Sequence, residues 1–336
     1  MLRSVGLAVL VGGCAGPASR DRGEPPVVEL KVERFDPARH LEAAAPGRYL
    51  TADEHPGLWL QAARGPDRAS FAVAREEAVE LYAWPGLTPI WRAAVSPDAP
   101  SRQQPAAPLL AFTPDGTRLA WLGGAGWGQR FIVLDVATGA ALTDLVFPSL
   151  PSPPGRGGGV TPPPTPDALQ STPDGRRFRI DNSFGAYELD PDALRLVALD
   201  HRSEVSLRPT LAQDTGAAWD ERNAVLTRRG GGGRIAIDCM THERDIALDE
   251  GLDRIAYLCA RGDADDIPEI RVRRLSSGER LGAFKFAARW GRLVVLDADT
   301  VLALAEPQPR FSALYSLAGA PVRRRDPATD AWVATP

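Results

Sequence analysis

The sequence predicts an all-β protein built from repeated four-stranded units, and three observations support this prediction. Short β-rich runs recur with a period of about forty residues. Turn-forming residues separate the runs, since 32 glycines and 31 prolines among 336 residues exceed ordinary usage. Two segments, residues 111–122 and 247–258, also align without a gap.

The aligned segments read AFTPDGTRLAWL and ALDEGLDRIAYL, and residues 170–178 form a third copy. Each copy places a Pro-Asp-Gly-type turn between two β-rich runs. Proline presets the first dihedral of such a turn and glycine accepts the positive one. The pattern therefore predicts antiparallel hairpins.

A second strand–turn–strand, at residues 131–142, follows the first copy, so one unit holds four strands, as a propeller blade does. The predicted fold class is an all-β β-propeller of six to seven four-stranded blades, preceded by a signal peptide and a flexible tether. Segments 27–32 and 331–333 are strand candidates that could pair with an end blade and close the ring. Six units are visible: 58–95, 109–147, 169–199, 216–238, 246–286 and 293–324.

The fourth unit is expected to lack a strand, because residues 239–247 are too few for an outer strand and a crossing to the centre. The Pro-Asp-Gly hairpins and the Asp135-x-x-Thr138-Gly139 turn resemble the WD40-like propellers of bacterial envelopes, including TolB-like ones. This resemblance covers most of residues 58–325. It implies a propeller but hardly specifies a function, and Trp219-Asp220 falls on a first strand, unlike the eukaryotic WD signature.

The N-terminal sequence predicts where in the cell the protein is located. Arg3 precedes a short apolar run, and Val11-Gly-Gly-Cys14 resembles the lipobox of bacterial lipoproteins, which implies acylation of the Cys14 thiol. Ala15 resembles the pattern that is sorted to the outer membrane. The alternative is an ordinary buried segment with a core cysteine.

The predicted domains follow from these assignments. They are a lipoprotein signal peptide (1–13), a tether with a closing-strand candidate (14–50), the propeller (51–325) and a C-terminal tail (326–336). Residues 148–166 are rich in proline and glycine and predict a loop insertion; a domain boundary is the rival interpretation.

Motifs for catalysis, metal binding and cofactor binding are incomplete. No Gly-x-Ser-x-Gly occurs, His242-Glu243 lacks a second histidine, and Gly123 to Gly128 joins two strands rather than a strand and a helix. We therefore expect no catalytic residue, no metal and no cofactor. Loop 263–269 could hold calcium and loop 228–234 an anion, but solvated loops explain both.

The predicted function is a lipid-anchored envelope propeller that acts as a non-catalytic binding or scaffold module on the periplasmic face of the outer membrane. Its partner would be another envelope protein or a polymer. Nucleic acid is not expected, because the formal net charge is −4. The alternative is a lactonase- or lyase-like enzyme whose acidic and histidine residues converge on the central channel; a purely structural role is a third possibility.

The candidate binding surface consists of the loops that join second to third strands, at 123–130, 181–185, 228–233 and 260–269. They combine aromatic and arginine side chains, which interfaces favour. Truncation of Trp127 and Arg130 is expected to release the partner and leave folding intact. The candidate residues are Trp127, Arg130, Asp181, Arg228, Arg229, Arg261, Asp263 and Asp266.

Cys239 and Cys259 remain after processing at Cys14. An oxidising compartment and an even count favour a disulfide. The order of the strands favours free thiols instead. Cys239 ends a third strand and Cys259 ends a second strand, which would place the two cysteines at opposite ends of the propeller. We therefore predict two buried free thiols.

Overall fold

The structure is a computed structural model. It describes residues 29–36, 61–74, 78–95, 108–123, 128–148, 166, 168–182, 185–199, 217–220, 225–228, 234–239, 241, 246–259, 268–286, 290–306, 312–319, 322–325 and 332–334. The regular elements of these residues are all β-strands. None of the described residues forms a helix long and apolar enough to cross a membrane.

The strands fall into six antiparallel sheets. Two N-terminal strands, β1 (Glu29–Lys31) and β2 (Glu33–Arg34), precede them. The first sheet contains β3 (Gln61–Arg64), β4 (Ser70–Ala74), β5 (Ala78–Ala83) and β6 (Pro89–Ala94). The second contains β7 (Leu109–Phe112), β8 (Arg118–Gly123), β9 (Gly128–Asp135) and β10 (Ala141–Pro148). The third contains β11 (Ala168–Ser171), β12 (Phe178–Asn182), β13 (Gly185–Asp190) and β14 (Arg195–Leu199).

The remaining three sheets follow in chain order. The fourth contains β15 (Ala217–Asp220), β16 (Val225–Arg228) and β17 (Arg234–Ala236). The fifth contains β18 (Ile246–Asp249), β19 (Arg254–Cys259), β20 (Glu269–Arg274) and β21 (Arg280–Lys285). The sixth contains β22 (Trp290–Val295), β23 (Thr300–Glu306), β24 (Ala313–Ser316), β25 (Arg323–Arg325) and β26 (Trp332–Ala334).

The order of strands within each sheet confirms the predicted repeat. Strands that are consecutive in sequence are neighbours in every sheet, and the sheets coincide with the predicted units to within a few residues. Three strands of the fourth sheet lie in the described residues; residues 240 and 242–245, on which the predicted short fourth unit depends, lie outside them. Trp219 and Asp220 lie on β15, a first strand, as expected.

The two aligned hairpins have the same strand register but differ in the geometry of their turns. Ala111 pairs with Ala120 in the second sheet, as Ala247 pairs with Ala256 in the fifth. Gly116 supplies the positive φ of the Pro-Asp-Gly turn. The fifth hairpin has no glycine at the matching position, and its positive φ falls one residue later, on Asp253, a residue type that tolerates this conformation.

The N-terminal strands do not close the ring. β1 pairs with β14 at the outer edge of the third sheet, and β2 pairs with β10 at the outer edge of the second. The prediction that residues 27–32 pair with an end blade is therefore wrong. The sixth sheet has four strands of its own, and β26 adds a fifth, so the second strand candidate does pair with an end sheet.

Ring closure depends on packing between the first and last sheets. Phe71 and Tyr82 of the first sheet share a buried cluster with Leu302 and Leu314 of the sixth. Other clusters join the first sheet to the second, the second to the third, the fourth to the fifth and the fifth to the sixth. The third and fourth sheets share no cluster within the described residues. Six consecutive sheets with the last packed on the first form a β-propeller.

The predicted free thiols are wrong, because Cys239 and Cys259 form a disulfide with a Cα–Cα distance of 5.6 Å. Cys259 ends β19 as expected, but β17 ends at Ala236. The chain then continues onto the face of the fifth sheet. There the Tyr257 hydroxyl donates to the Asp238 carboxylate at 3.0 Å. The prediction assumed that Cys239 ends the third strand, at the rim opposite Cys259. It is wrong because the chain leaves this strand after Ala236 and crosses to the fifth sheet before it reaches Cys239.

Candidate protein-binding surface

The two ends of the propeller are built differently. Since strands alternate in direction, the connections from second to third strands lie at one end, which we call the loop rim. The turns between first and second strands, and between third and fourth strands, lie at the other end, the hairpin rim. All candidate binding residues were predicted for the loop rim.

Arg130 lies within β9 rather than in a loop, because it pairs with Gly123 and Val146. Its Nε and Nη2 donate to the two oxygens of Asp144 at 2.9 and 2.7 Å. Its guanidinium carbon also lies 3.9 Å from the centroid of the Phe35 ring. Arg130 therefore joins the second sheet to the segment that follows β2.

Asp181 also lies in a strand. It pairs with Ala168 and Ala186 on β11 and β13, it is buried, and its carboxylate accepts from Arg179 Nε at 3.0 Å. The Asn182 side chain accepts from the Gly185 amide at 2.8 Å, which closes this connection tightly. Residues 181, 182 and 185 of the predicted loop are therefore paired strand residues, and residues 183–184 lie outside the described residues.

The other candidates lie at the same rim or outside the described residues. The backbone of Arg228 ends β16, which places this residue at the loop rim. The connections after β8, β16 and β19 span residues 124–127, 229–233 and 260–268. The candidates outside the described residues are Trp127, Arg229, Arg261, Asp263 and Asp266.

The hairpin rim is closely packed. A Cβ on Gly116 would lie 3.2 Å from Pro66 Cγ of the neighbouring hairpin, and a Cβ on Gly251 would contact Nη2 of Arg68. Arg64 of the first sheet forms an ion pair with Asp249 of the fifth. These contacts link the first hairpin to the second and to the fifth.

Carboxylates organise the hairpin turns. The Thr113 hydroxyl donates to Asp115 at 2.6 Å, and the Thr117 amide and hydroxyl donate at 3.0 and 2.9 Å. These hydrogen bonds hold the pKa of Asp115 below its ordinary value. Thr172, followed by the Arg176 amide, lowers the pKa of Asp174 in the third sheet in the same way.

A polar cluster that the sequence analysis missed lies beside the disulfide. Arg271 Nη1 is 3.0 Å and Arg273 Nη2 is 2.6 Å from the carboxylate of Asp238. Burial would raise the pKa of Asp238, but hydrogen bonds from Tyr257 and Arg271 and the charge of Arg273 outweigh burial and lower it. Burial raises the pKa of Tyr257 to about 12. The alternating arginines of β20 were the available signal, but alternation does not reveal which face a strand presents.

The described residues do not test the enzyme alternative, because most of the residues that it needs lie outside them. Within them, one group of three His, Cys, Asp or Glu side chains lies close enough to hold a metal: Asp238, Cys239 and Cys259. Its two sulfurs are already joined in the disulfide. All four histidines, and the acidic part of the calcium-loop candidate before Glu269, lie outside the described residues.

The class defined by the sheet order and packing is the β-propeller. No family profile matches the sequence, and no match was found among curated proteins. Among solved structures, the chain is similar to the β-propeller domain of Cps50 (Swd1) from Myceliophteria thermophila, with 10% identity over 77% of this chain and 96% of that one, and a TM-score of 0.46.

Two further structures are similar over much of the chain. TolB from Acinetobacter baumannii is 15% identical over 77% of this chain and 60% of that one, with a TM-score of 0.37. Dihydro-heme d1 dehydrogenase NirN, solved in complex with DHE, is 14% identical over 91% of this chain and 59% of that one, with a TM-score of 0.34. The assignment to the propeller class rests on this chain's own sheets.

Proposed function

We propose that this chain is a six-bladed, non-catalytic binding module that a lipid on Cys14 anchors in the cell envelope, at the periplasmic face of the outer membrane. Its partner would be another envelope protein or a polymer, bound at the loop rim. The observation that carries the proposal is the difference between the two rims. At the hairpin rim, neighbouring hairpins contact one another. The longest connection between strands of one sheet, residues 260–268, lies at the loop rim.

The disulfide supports the proposed location in the cell envelope. Disulfides persist in oxidising compartments such as the bacterial periplasm and are rare in the cytosol. The Cys239–Cys259 bond therefore agrees with export of the chain. Export is also what the lipobox-like sequence around Cys14 implies.

The binding proposal is tested by a cross-linking pull-down from membranes with Trp127→Ala. The internal bonds of Arg130 to Asp144 and Phe35 make truncation of Arg130 a poor test, since it would also disturb folding. Leu142→Ala is the matched control, because Leu142 is 50% exposed on β10 of the same sheet and lies near the opposite rim. We expect Trp127→Ala to lose partners that Leu142→Ala retains. Capture of the same partners by both variants would place binding elsewhere.

The anchor is tested separately by labelling cells with a radioactive fatty acid. Cys14→Ser is expected to remain unprocessed and unlabelled, because an acyl anchor requires the thiol at this position. Equal labelling of the variant and the parent would rule out lipidation at Cys14.

A further inference from the structure

Among the described residues, no outer strand lies at the boundary between the fourth and fifth sheets. Within the described residues the fourth sheet ends at β17. The disulfide fixes Cys239 beside the end of β19, and six residues, 240–245, then lead to β18. An average strand takes five to six residues, so this segment cannot form an outer strand and also reach the inner strand of the next sheet.

The fifth sheet is charged where this missing strand would cover it. In the second sheet, Ile132 and Leu134 on β9 face the first sheet, and Trp91 of its outer strand packs in the same cluster. The strand register shows that Arg271 and Arg273 occupy the matching positions on β20. No other sheet with a described third strand has two cations there. The corresponding pairs are Glu80 and Tyr82, Tyr187 and Leu189, Arg234 and Ala236, and Ala313 and Tyr315.

The strand neighbours extend this positive charge outwards. Arg280 lies opposite Arg273 and Lys285 lies opposite Glu269 on the outer strand β21, and residues opposite one another share a face. We call Arg271, Arg273, Arg280 and Lys285 the cationic face. Among the described residues its acidic neighbours are Asp238 and Glu269, so the four cations exceed the carboxylates by two.

The existing contacts show which chemistry fits this face. A single carboxylate, that of Asp238, bridges Arg271 and Arg273 while its side chain remains 45% exposed. Nε of Arg273 is buried without a hydrogen-bond partner in the structure, and the side chain of Arg280 is 53% exposed. The face can therefore accept further carboxylate oxygens, which pair with guanidinium groups through charge-assisted hydrogen bonds.

We propose that an extended acidic segment of a partner protein docks here as the missing strand of the fourth sheet. Its backbone pairs with the edge of β17 that carries no further strand among the described residues, and its carboxylates contact Arg273 and Arg280. Strand addition to an open sheet edge is a common mode of peptide recognition. A nucleic acid or an anionic lipid could use the positive charge, but only a polypeptide could also use the edge of β17. This site is distinct from the loop rim and does not depend on binding there.

The direct test measures binding of a fluorescent octapeptide that alternates threonine with glutamate to the full-length protein, by fluorescence anisotropy. The same peptide with lysine in place of glutamate is the control probe. The double variant Arg273→Leu/Arg280→Leu places at position 273 the residue type that Leu134 supplies in the second sheet, which favours correct folding. We expect the double variant to weaken binding of the acidic peptide by about tenfold or more, the loss of one or two charged hydrogen bonds.

Arg274→Leu is the matched control variant. Arg274 is the next residue on β20, but its guanidinium pairs with Glu279 and Asp253 at the hairpin rim, so its loss should change affinity by less than about twofold. Arg280→Gln alone, at an exposed position, gives a second variant that keeps the fold if the double variant fails to fold. Equal affinity for the two peptides, or no effect of Arg280→Gln and the double variant, would overturn the proposal.

Hydrogen exchange tests the backbone part of the proposal. The acidic peptide should slow amide exchange in Arg234–Ala236, and a proline in the middle of the peptide should abolish this protection, because proline cannot donate to a strand ladder. Binding without protection at β17 would refute strand addition. Full protection of the outer edge of β17 in the free protein would show that the chain itself fills this place, and would also refute the proposal.

Discussion

At the scale of single residues, the sequence was most informative where a residue acts locally. Gly116 was expected to adopt a positive φ because a Pro-Asp-Gly turn requires it, and it does, at 71°. Cys239 shows the opposite case. Its position depends on how residues 237–239 cross to the fifth sheet, and no strand pattern encodes this crossing. Arg130 is similar, because its partners Asp144 and Phe35 come from a neighbouring strand and from a distant segment.

Loss of the disulfide should lower the free energy of unfolding by about 3 kcal/mol, since the bond closes a loop of some twenty residues in the unfolded chain. Cys239→Ala/Cys259→Ala, followed by urea denaturation, measures this loss. Reduction of the parent protein should give the same result. Equal stability of the double variant and the parent would show that the bond does not support the fourth and fifth sheets.

At the scale of elements, the hairpins were predictable and their outer neighbours were not. Alternating apolar residues and turn motifs define each unit locally, and all six sheets follow these signals. The placement of β1 and β2 on the third and second sheets depends on which outer edges remain open after folding. The cationic face could not be predicted for the same reason, because the role proposed for Arg271 and Arg273 depends on the described part of the fourth sheet ending at β17.

The hairpin turns should make the protein less stable in acid. Hydrogen bonds from Thr113 and Thr117 lower the pKa of Asp115, and Thr172 and the Arg176 amide lower that of Asp174. A carboxyl with a lowered pKa in the folded state stabilises the fold fully above its unfolded pKa, about 4. The contribution disappears as the pH falls through the lower folded pKa. The free energy of unfolding should therefore decrease below about pH 4.

Urea denaturation at pH 7 and pH 3 measures this dependence. Asp115→Asn/Asp174→Asn should show a smaller decrease than the parent, because the variant has fewer carboxylates to protonate. Thr113→Val is a matched variant that keeps Asp115 but removes its first hydrogen-bond donor, and it should also reduce the pH dependence. An unchanged difference between the two pH values in both variants would contradict the role of these turns.

At the scale of the whole molecule, the sequence predicted a ring but not how its ends meet. Repeats along the chain predict successive sheets, six to seven in number, whereas closure depends on residues far apart in sequence. Arg64 Nη1 lies 3.4 Å from the Leu296 carbonyl of the sixth sheet, and Arg64 also pairs with Asp249 of the fifth. Trp84 Nε1 donates to Asp297 at 3.0 Å. These contacts tie the first sheet to the last two at the hairpin rim.

Removal of the Arg64 charge should destabilise the closed ring. The Asp249 side chain is only 9% exposed, so Arg64→Met leaves a nearly buried carboxylate without its main partner. The expected loss in the free energy of unfolding is about 3 kcal/mol. Arg68→Met is the control, because Arg68 is 42% exposed and 3.6 Å from Asp249, and it should cost less than about 1 kcal/mol. Arg64→Met/Asp249→Leu should recover part of the loss, since no unpaired charge remains. Urea denaturation of the parent and the three variants measures these losses. A double variant that is no more stable than Arg64→Met would show that the ion pair does not hold the ring together.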